Sequence, residues 1–152
     1  MSGAVPKISL GNLSQFRVAI ISASWHEQIC ADLIAGARRA LLEAKIEPEP
    51  VIFVPGSFEL PLAAQLALDS GFDAAVVLGV VLRGETPHFD YVCQGVTQGV
   101  MDVSLSRSKP IGFGVLMCDN LEQATARAGL PGSKEDKGYD SALAALSVIK
   151  KG

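Results

Sequence analysis

The chain has 152 residues, of which 49% are hydrophobic and 19% charged, and its formal net charge is −3. That length suits one domain with a substantial core, while scattered lysines and arginines under a net negative charge argue against a nucleic-acid or polybasic membrane surface and for a small ligand. The apolar share exceeds what a soluble surface requires, so part of that surface is expected to be covered by other subunits.

Taken in order, Phe16 to Ser22 (FRVAIIS) predicts the first core strand. Ser24, with Glu27 three residues later, predicts a capping box and a helix start. Ile29, Leu33, Ala37, Ala40 and Leu41 then recur at helical spacing, and Glu47 to Pro50 closes that helix. Val51 to Val54 is a short second strand ended by Pro55 and Gly56. Phe58 to Leu68 is helical, with Pro61 tolerated in its first turn. Ala74 to Leu82 is an unbroken, β-branched apolar run, the pattern of a strand covered on both faces. Gly84 ends it; Thr86 can cap the next helix and Pro87 suits its first position, which puts His88 in the first turn. His88 to Leu105 is the third helix, and Ile111 to Met117 the fourth strand, with Gly112 and Gly114 marking close backbone approach. Leu121 to Ala128 is a short helix, Gly129 to Lys137 a polar loop, and Tyr139 to Ile149 a last helix. The order βαβαβαβαα predicts a parallel sheet between layers of helices, with ligands at the carboxyl ends of the strands.

No run reaches the roughly 18 apolar residues of a membrane span, and the N-terminus lacks a signal-peptide core, so a cytoplasmic protein is expected. Cys30, Cys93 and Cys118 are widely spaced without a CxxC pair, and His26 and His88 are isolated; no metal site is predicted, and each cysteine reads as a small apolar residue.

Chemistry gathers where three strands end. Trp25 follows the first, Gly56-Ser57-Phe58-Glu59 the second, and Arg83 to His88 the third. Trp25 suits stacking on a flat heterocycle, Glu59 can accept from polyol hydroxyls, and Gly84-Glu85-Thr86 can wrap a phosphate. A helix N-terminus draws an anion and favours a neutral, proton-accepting imidazole. Singly, each feature has an ordinary alternative: a packing tryptophan, a first-turn acid, a common turn. Their coincidence at one sheet edge is what points to a site.

GSFELP, VVLRGETPHFDYVC, PIGFGVL, NLEQATARAG and EDKG, in this order and spacing, resemble the lumazine synthase family from about Phe16 to the last helix. The resemblance implies a flavodoxin-like three-layer α/β/α sandwich with a four-stranded parallel sheet as one domain, 16–152, preceded by an arm, 1–15, whose stretch Ile8 to Leu13 pairs with a neighbouring subunit. It implies condensation of 5-amino-6-ribitylaminouracil with 3,4-dihydroxy-2-butanone 4-phosphate to 6,7-dimethyl-8-ribityllumazine, phosphate and water, without cofactor. Carried over by position, Trp25 stacks on the pyrimidine; Ser57, Phe58 and Glu59 bind the ribityl chain; Val81 and Leu82 meet the ring edge; Gly84, Glu85 and Thr86 form the phosphate turn; and His88 is the acid/base. Phe113, Arg127 and Lys137 would come from the adjacent subunit, with Arg127 as phosphate clamp. Glu85 is an anion in a phosphate turn, so its backbone N–H is expected to face the ligand and its side chain solvent. The loop from Gly129 to Lys137, with Pro131, is longer than the compact link associated with shell-forming members, which predicts a free ring of five before a pair of rings or a shell. The competing function is a non-catalytic protein that holds riboflavin or lumazine in the same pocket, though such a binder could dispense with His88, Arg127 and the phosphate turn.

Overall fold

In the computed structural model, which describes residue 4 and residues 6–149, strands and helices alternate along the chain. In order they are β1 (Val18–Ala23), α1 (Glu27–Glu43), β2 (Ile52–Val54), α2 (Leu60–Asp69), β3 (Ala74–Leu82), α3 (His88–Arg107), β4 (Ile111–Cys118), α4 (Leu121–Thr125) and α5 (Lys137–Ser147), with a 3-10 turn at Ser57–Glu59 before α2. Residues 1–3, 5 and 150–152, which the expected arm and domain include, lie outside the described residues.

The four strands form one parallel sheet in the order β2-β1-β3-β4. Side chains alternate across it. Val18, Ile20, Val76 and Leu78 pack with α1 and α5, whereas Ala19, Ile21, Ala75 and Val77 pack with α2 and α3, giving the three expected layers. Ile8, Leu10 and Leu13 pack against the α1 side of the chain's own core, and the Leu13 N–H donates to the Ala44 carbonyl at 2.9 Å.

α5 rides directly on α1. A Cβ added at Gly138 would lie 2.1 Å from the Leu33 carbonyl oxygen, so only glycine lets the two backbones come this close. α1 ends at Glu43, earlier than the expected stop at Glu47 to Pro50. Lys45 takes the left-handed conformation (φ 66), and the amides of Lys45 and Ile46 bond back to the carbonyls of Leu42 and Leu41 at 3.1 and 2.9 Å. This is a Schellman stop, made with lysine where glycine is usual. The start of α1 also departs from expectation. His26, not Ser24, is the N-cap, with φ 57 and no side-chain cap bond; the Ser24 hydroxyl instead donates to the Val54 carbonyl at 2.8 Å, tying the end of β1 to β2.

Strand order reverses between β1 and β3, where the connections leave on opposite faces, α1 on one and α3 on the other. In sheets of this kind the crevice beyond the carboxyl ends at that reversal is the usual ligand position.

Candidate active site

Each loop that reaches this crevice is shaped by its own residues. After β1, Trp25 stands 68% exposed, and His26 turns the chain into α1. After β2, the extended backbone of Gly56 donates its N–H to Glu59 Oε1 at 2.8 Å, which fixes the carboxylate. A Cβ on Gly56 would sit 3.4 Å from both Trp25 Cδ1 and Glu59 Oε1, so the indole and the carboxylate both border this residue. Ser57 is buried, its hydroxyl without a partner among the described residues and packed where a Cβ on Gly79 of β3 would stand. Phe58 is exposed, and its ring lies over Gly95 of α3.

After β3, Gly84, Glu85 and Thr86 form an exposed turn that leads through Pro87 into α3. Pro87 already has helical angles (φ −66, ψ −3), and Thr86 Oγ1 lies 3.4 Å from the His88 amide, longer than an ordinary cap bond. His88 therefore sits at the first position of α3.

These loops enclose a cavity of about 790 Å³ lined by Trp25, Ser57, Phe58, Glu59, Val81, Leu82, Gly84, Thr86 and His88. Glu85 is exposed and is not among its lining residues. The sequence reading missed Val80, Phe89, Tyr91 and Val92 on the same walls. Tyr91 and Val92 had a signal: they stand three and four residues after His88 and so share its helix face.

Phe113, Arg127 and Lys137 line a different cavity of about 860 Å³ along edge strand β4, and no described residue lines both. There the Arg127 fork is partly engaged within the chain, Nη1 to the Gln123 carbonyl at 2.9 Å and Nε to Glu135 Oε2 at 3.1 Å. Lys137 Nζ meets the other oxygen of Glu135 at 3.1 Å. Glu135, to which the sequence reading assigned no role, thus gathers both cations. Burial, and after it the charge of Asp136, pushes the Asp140 carboxyl on this cavity above the usual range. The loop after α4 folds back on itself: Ala128 bridges Asp136, and the Ser133 hydroxyl accepts from the Leu130 amide at 3.0 Å and donates to the Thr125 carbonyl at 3.1 Å. α4 consequently stops at Thr125 rather than Ala128, and Lys137 opens α5 instead of closing the loop.

Cys30 and Cys118 are buried, and Cys93 is half-buried. Burial pushes all three thiols up, which keeps them in the unreactive form. No group of three or more His, Cys, Asp or Glu side chains that could hold a metal gathers among the described residues. Nor does any described helix have the length and apolarity to cross a membrane.

Comparison with known proteins adds an independent line. A family model for 6,7-dimethyl-8-ribityllumazine synthase matches residues 15–151. The protein of that name from Streptomyces coelicolor is 52% identical over 149 residues, covering 97% of this chain and 92% of its own. Its namesake from Pseudarthrobacter chlorophenolicus is 56% identical, with 97% and 95% covered, and that from Cutibacterium acnes 48%, with 96% and 87%.

Proposed function

Because the chain belongs to the 6,7-dimethyl-8-ribityllumazine synthase family, we propose that it catalyses the condensation for which that family is named, as an enzyme of riboflavin biosynthesis. The substrates are 5-amino-6-ribitylaminouracil and 3,4-dihydroxy-2-butanone 4-phosphate. The observation that carries this reading is the convergence of the loops after β1, β2 and β3 on one cavity, with an exposed indole, a fixed carboxylate and a histidine at a helix start around it.

In the reaction an amine of the pyrimidine adds to the ketone, water leaves and an imine forms. Phosphate is then expelled, and the second nitrogen closes the ring with loss of another water. Trp25 stacks on the pyrimidine, Phe58 and Glu59 hold the ribityl chain, and Val81 and Leu82 offer backbone to the ring edge. The buried Ser57 hydroxyl supports the segment from beneath, leaving its backbone for the ligand. Gly84, the Glu85 N–H and Thr86 receive the phosphate at the start of α3, where the helix dipole favours an anion. His88 moves protons between the attacking nitrogen, the departing water and the ring-closing centre. The amine is already nucleophilic, so holding the two substrates in register contributes more than proton transfer.

Phe113, Arg127 and Lys137 line the other cavity on their own chain. Their separation supports a site completed by a neighbour, whose Arg127 clamps two phosphate oxygens. Cyclic closure satisfies such a head-to-tail contact. We assign a ring of five, about 80 kDa from a chain of 15.9 kDa, its arm pairing with the adjacent sheet, in the cytoplasm. The test is direct: purified protein mixed with both substrates yields fluorescent lumazine faster than the spontaneous reaction, without added metal or nucleotide. A rate no greater than the spontaneous one would indicate a ligand-holding protein instead.

A further inference from the structure

Gly84 stands free: a Cβ added there would meet no described residue within 4 Å. Gly84, Glu85 and Thr86 are all exposed. Their placement is therefore set by the two ends of the segment rather than by packing around it. At the upstream end, Arg83 continues the β3·β4 ladder, its N–H donating to the Cys118 carbonyl at 2.9 Å. Its side chain reaches across to the downstream end, where the guanidinium carbon lies 4.4 Å from the centre of the Phe89 ring and Nη1 lies 3.5 Å from Asp90 Oδ1. Nε donates to Asp119 Oδ1 at 2.8 Å, in the connection between β4 and α4. Asp119 is itself fixed, because its N–H donates to Gln123 Oε1 at 2.7 Å. One planar group thus staples both ends of the turn and anchors them to a third element.

We propose that Arg83 is the positioning residue of the phosphate turn, holding Gly84–Thr86 and the first turn of α3 at a fixed separation so that the turn's amides and His88 meet the same substrate. This rests on the reading of that turn as the phosphate site. Arg83 lines neither cavity and acts only through the groups it holds. The chemistry requires arginine. A guanidinium can stack on Phe89 while its edge meets two carboxylates in different directions, whereas an ammonium reaches one of them and does not stack as a plane. The side chains of Arg83, Asp90 and Asp119 are 50%, 53% and 62% exposed, so these pairs add little to global stability. That separates positioning from a structural role: losing the staple moves the turn without unfolding the protein.

The experiment compares wild type with Arg83→Met, Arg83→Lys and Asp119→Asn, measuring kcat, the KM for each substrate, and Tm, with Thr86→Val as the control within the turn. The expected result is that Arg83→Met raises the KM for the butanone phosphate about tenfold, below the ~10²-fold loss that a full ångström of misplacement can cause. The pyrimidine KM stays within about twofold and Tm within a few degrees. Arg83→Lys and Asp119→Asn give smaller rises of the same kind. An unchanged phosphate KM in Arg83→Met beside a raised one in Thr86→Val would overturn the role of Arg83 and leave the site reading intact. Both KM values rising together with a large fall in Tm would also overturn it, in favour of a structural residue. If Thr86→Val too leaves the phosphate KM unchanged, the phosphate assignment of the turn fails and the role of Arg83 falls with it.

Discussion

Gly95→Ala separates the folding role of a glycine from its role at the site. Gly95 lies on the exposed face of α3, where alanine is favoured over glycine by about 0.8–1.0 kcal/mol. The new Cβ would fall 2.9 Å from Phe58 Cε1. Carbon atoms prefer at least about 3.5 Å, so the ring has to retreat by about 0.6 Å. Phe58 is 61% exposed and can swing, at roughly 0.5–1.5 kcal/mol for leaving its rotamer. The two terms nearly cancel, and Tm is expected to stay within about 4 °C of wild type. The ring, however, belongs to the proposed ribityl pocket. With ~10²-fold lost per ångström of misplacement, kcat/KM for the pyrimidine substrate should fall about tenfold while the phosphate KM holds. Calorimetry and steady-state kinetics on one preparation read both. A large drop in Tm with unchanged kinetics would refute the reasoning, since it would mean that Phe58 is locked in place and outside the ligand's reach.

Gly138→Ala should behave oppositely, because its Cβ meets backbone at Leu33 that cannot swing aside; denaturant titration is expected to show a loss at or above the upper end of ~1–3 kcal/mol. His88→Ala should keep measurable activity, losing no more than the lower end of ~10²–10⁴-fold, whereas Arg127→Ala should chiefly raise the KM for the phosphate substrate; equal effects of both on KM alone would contradict this division. Asp119 is held below the usual carboxylate range, first by the hydrogen bond from Arg83. Its folded value thus lies below the unfolded value near 4, so its contribution is present above that pH and is lost as pH falls through the lower value. The pair is exposed and adds little to Tm, so the check is a carbon-13 NMR titration: the Asp119 carboxyl should titrate lower in wild type than in Arg83→Met, and equal values would contradict the bond from Arg83. Light scattering should give a particle of about 80 kDa, five copies of the 15.9-kDa chain, and a shell near a megadalton would contradict the loop argument.

The fold was legible where local pattern and burial agree. Ala74–Leu82 is apolar throughout because helices cover both faces of β3, and its bounds follow from composition alone. The start of α1 was not legible, because the Ser24 hydroxyl is taken up in donating to the Val54 carbonyl, thirty residues away in β2. Its end was hidden for a different reason: Lys45 takes a backbone conformation that lysine seldom adopts. At the site, Trp25, Glu59 and His88 could be grouped because each follows a strand, and strand ends of a parallel sheet share one edge. Glu135 carried no such mark, and Arg83, although it follows the third strand, carried no pattern that gave it a role there. The first matters through pairing with Arg127 and Lys137, the second through contacts with Phe89 and Asp119, and both sets of partners are brought near only by the folded chain.

The separation of Glu59 from Arg127 into two cavities makes subunit complementation the most direct test of a shared site. Glu59→Ala and Arg127→Ala proteins, each assembled alone, should be poorly active, since every site lacks one half. When equal amounts are unfolded together and reassembled, about one quarter of the contacts in a head-to-tail ring pair an intact Glu59 with a neighbour's intact Arg127. Recovery of roughly that fraction of wild-type lumazine formation is the predicted result, and a mixture no more active than its separate components would place the whole site within one chain.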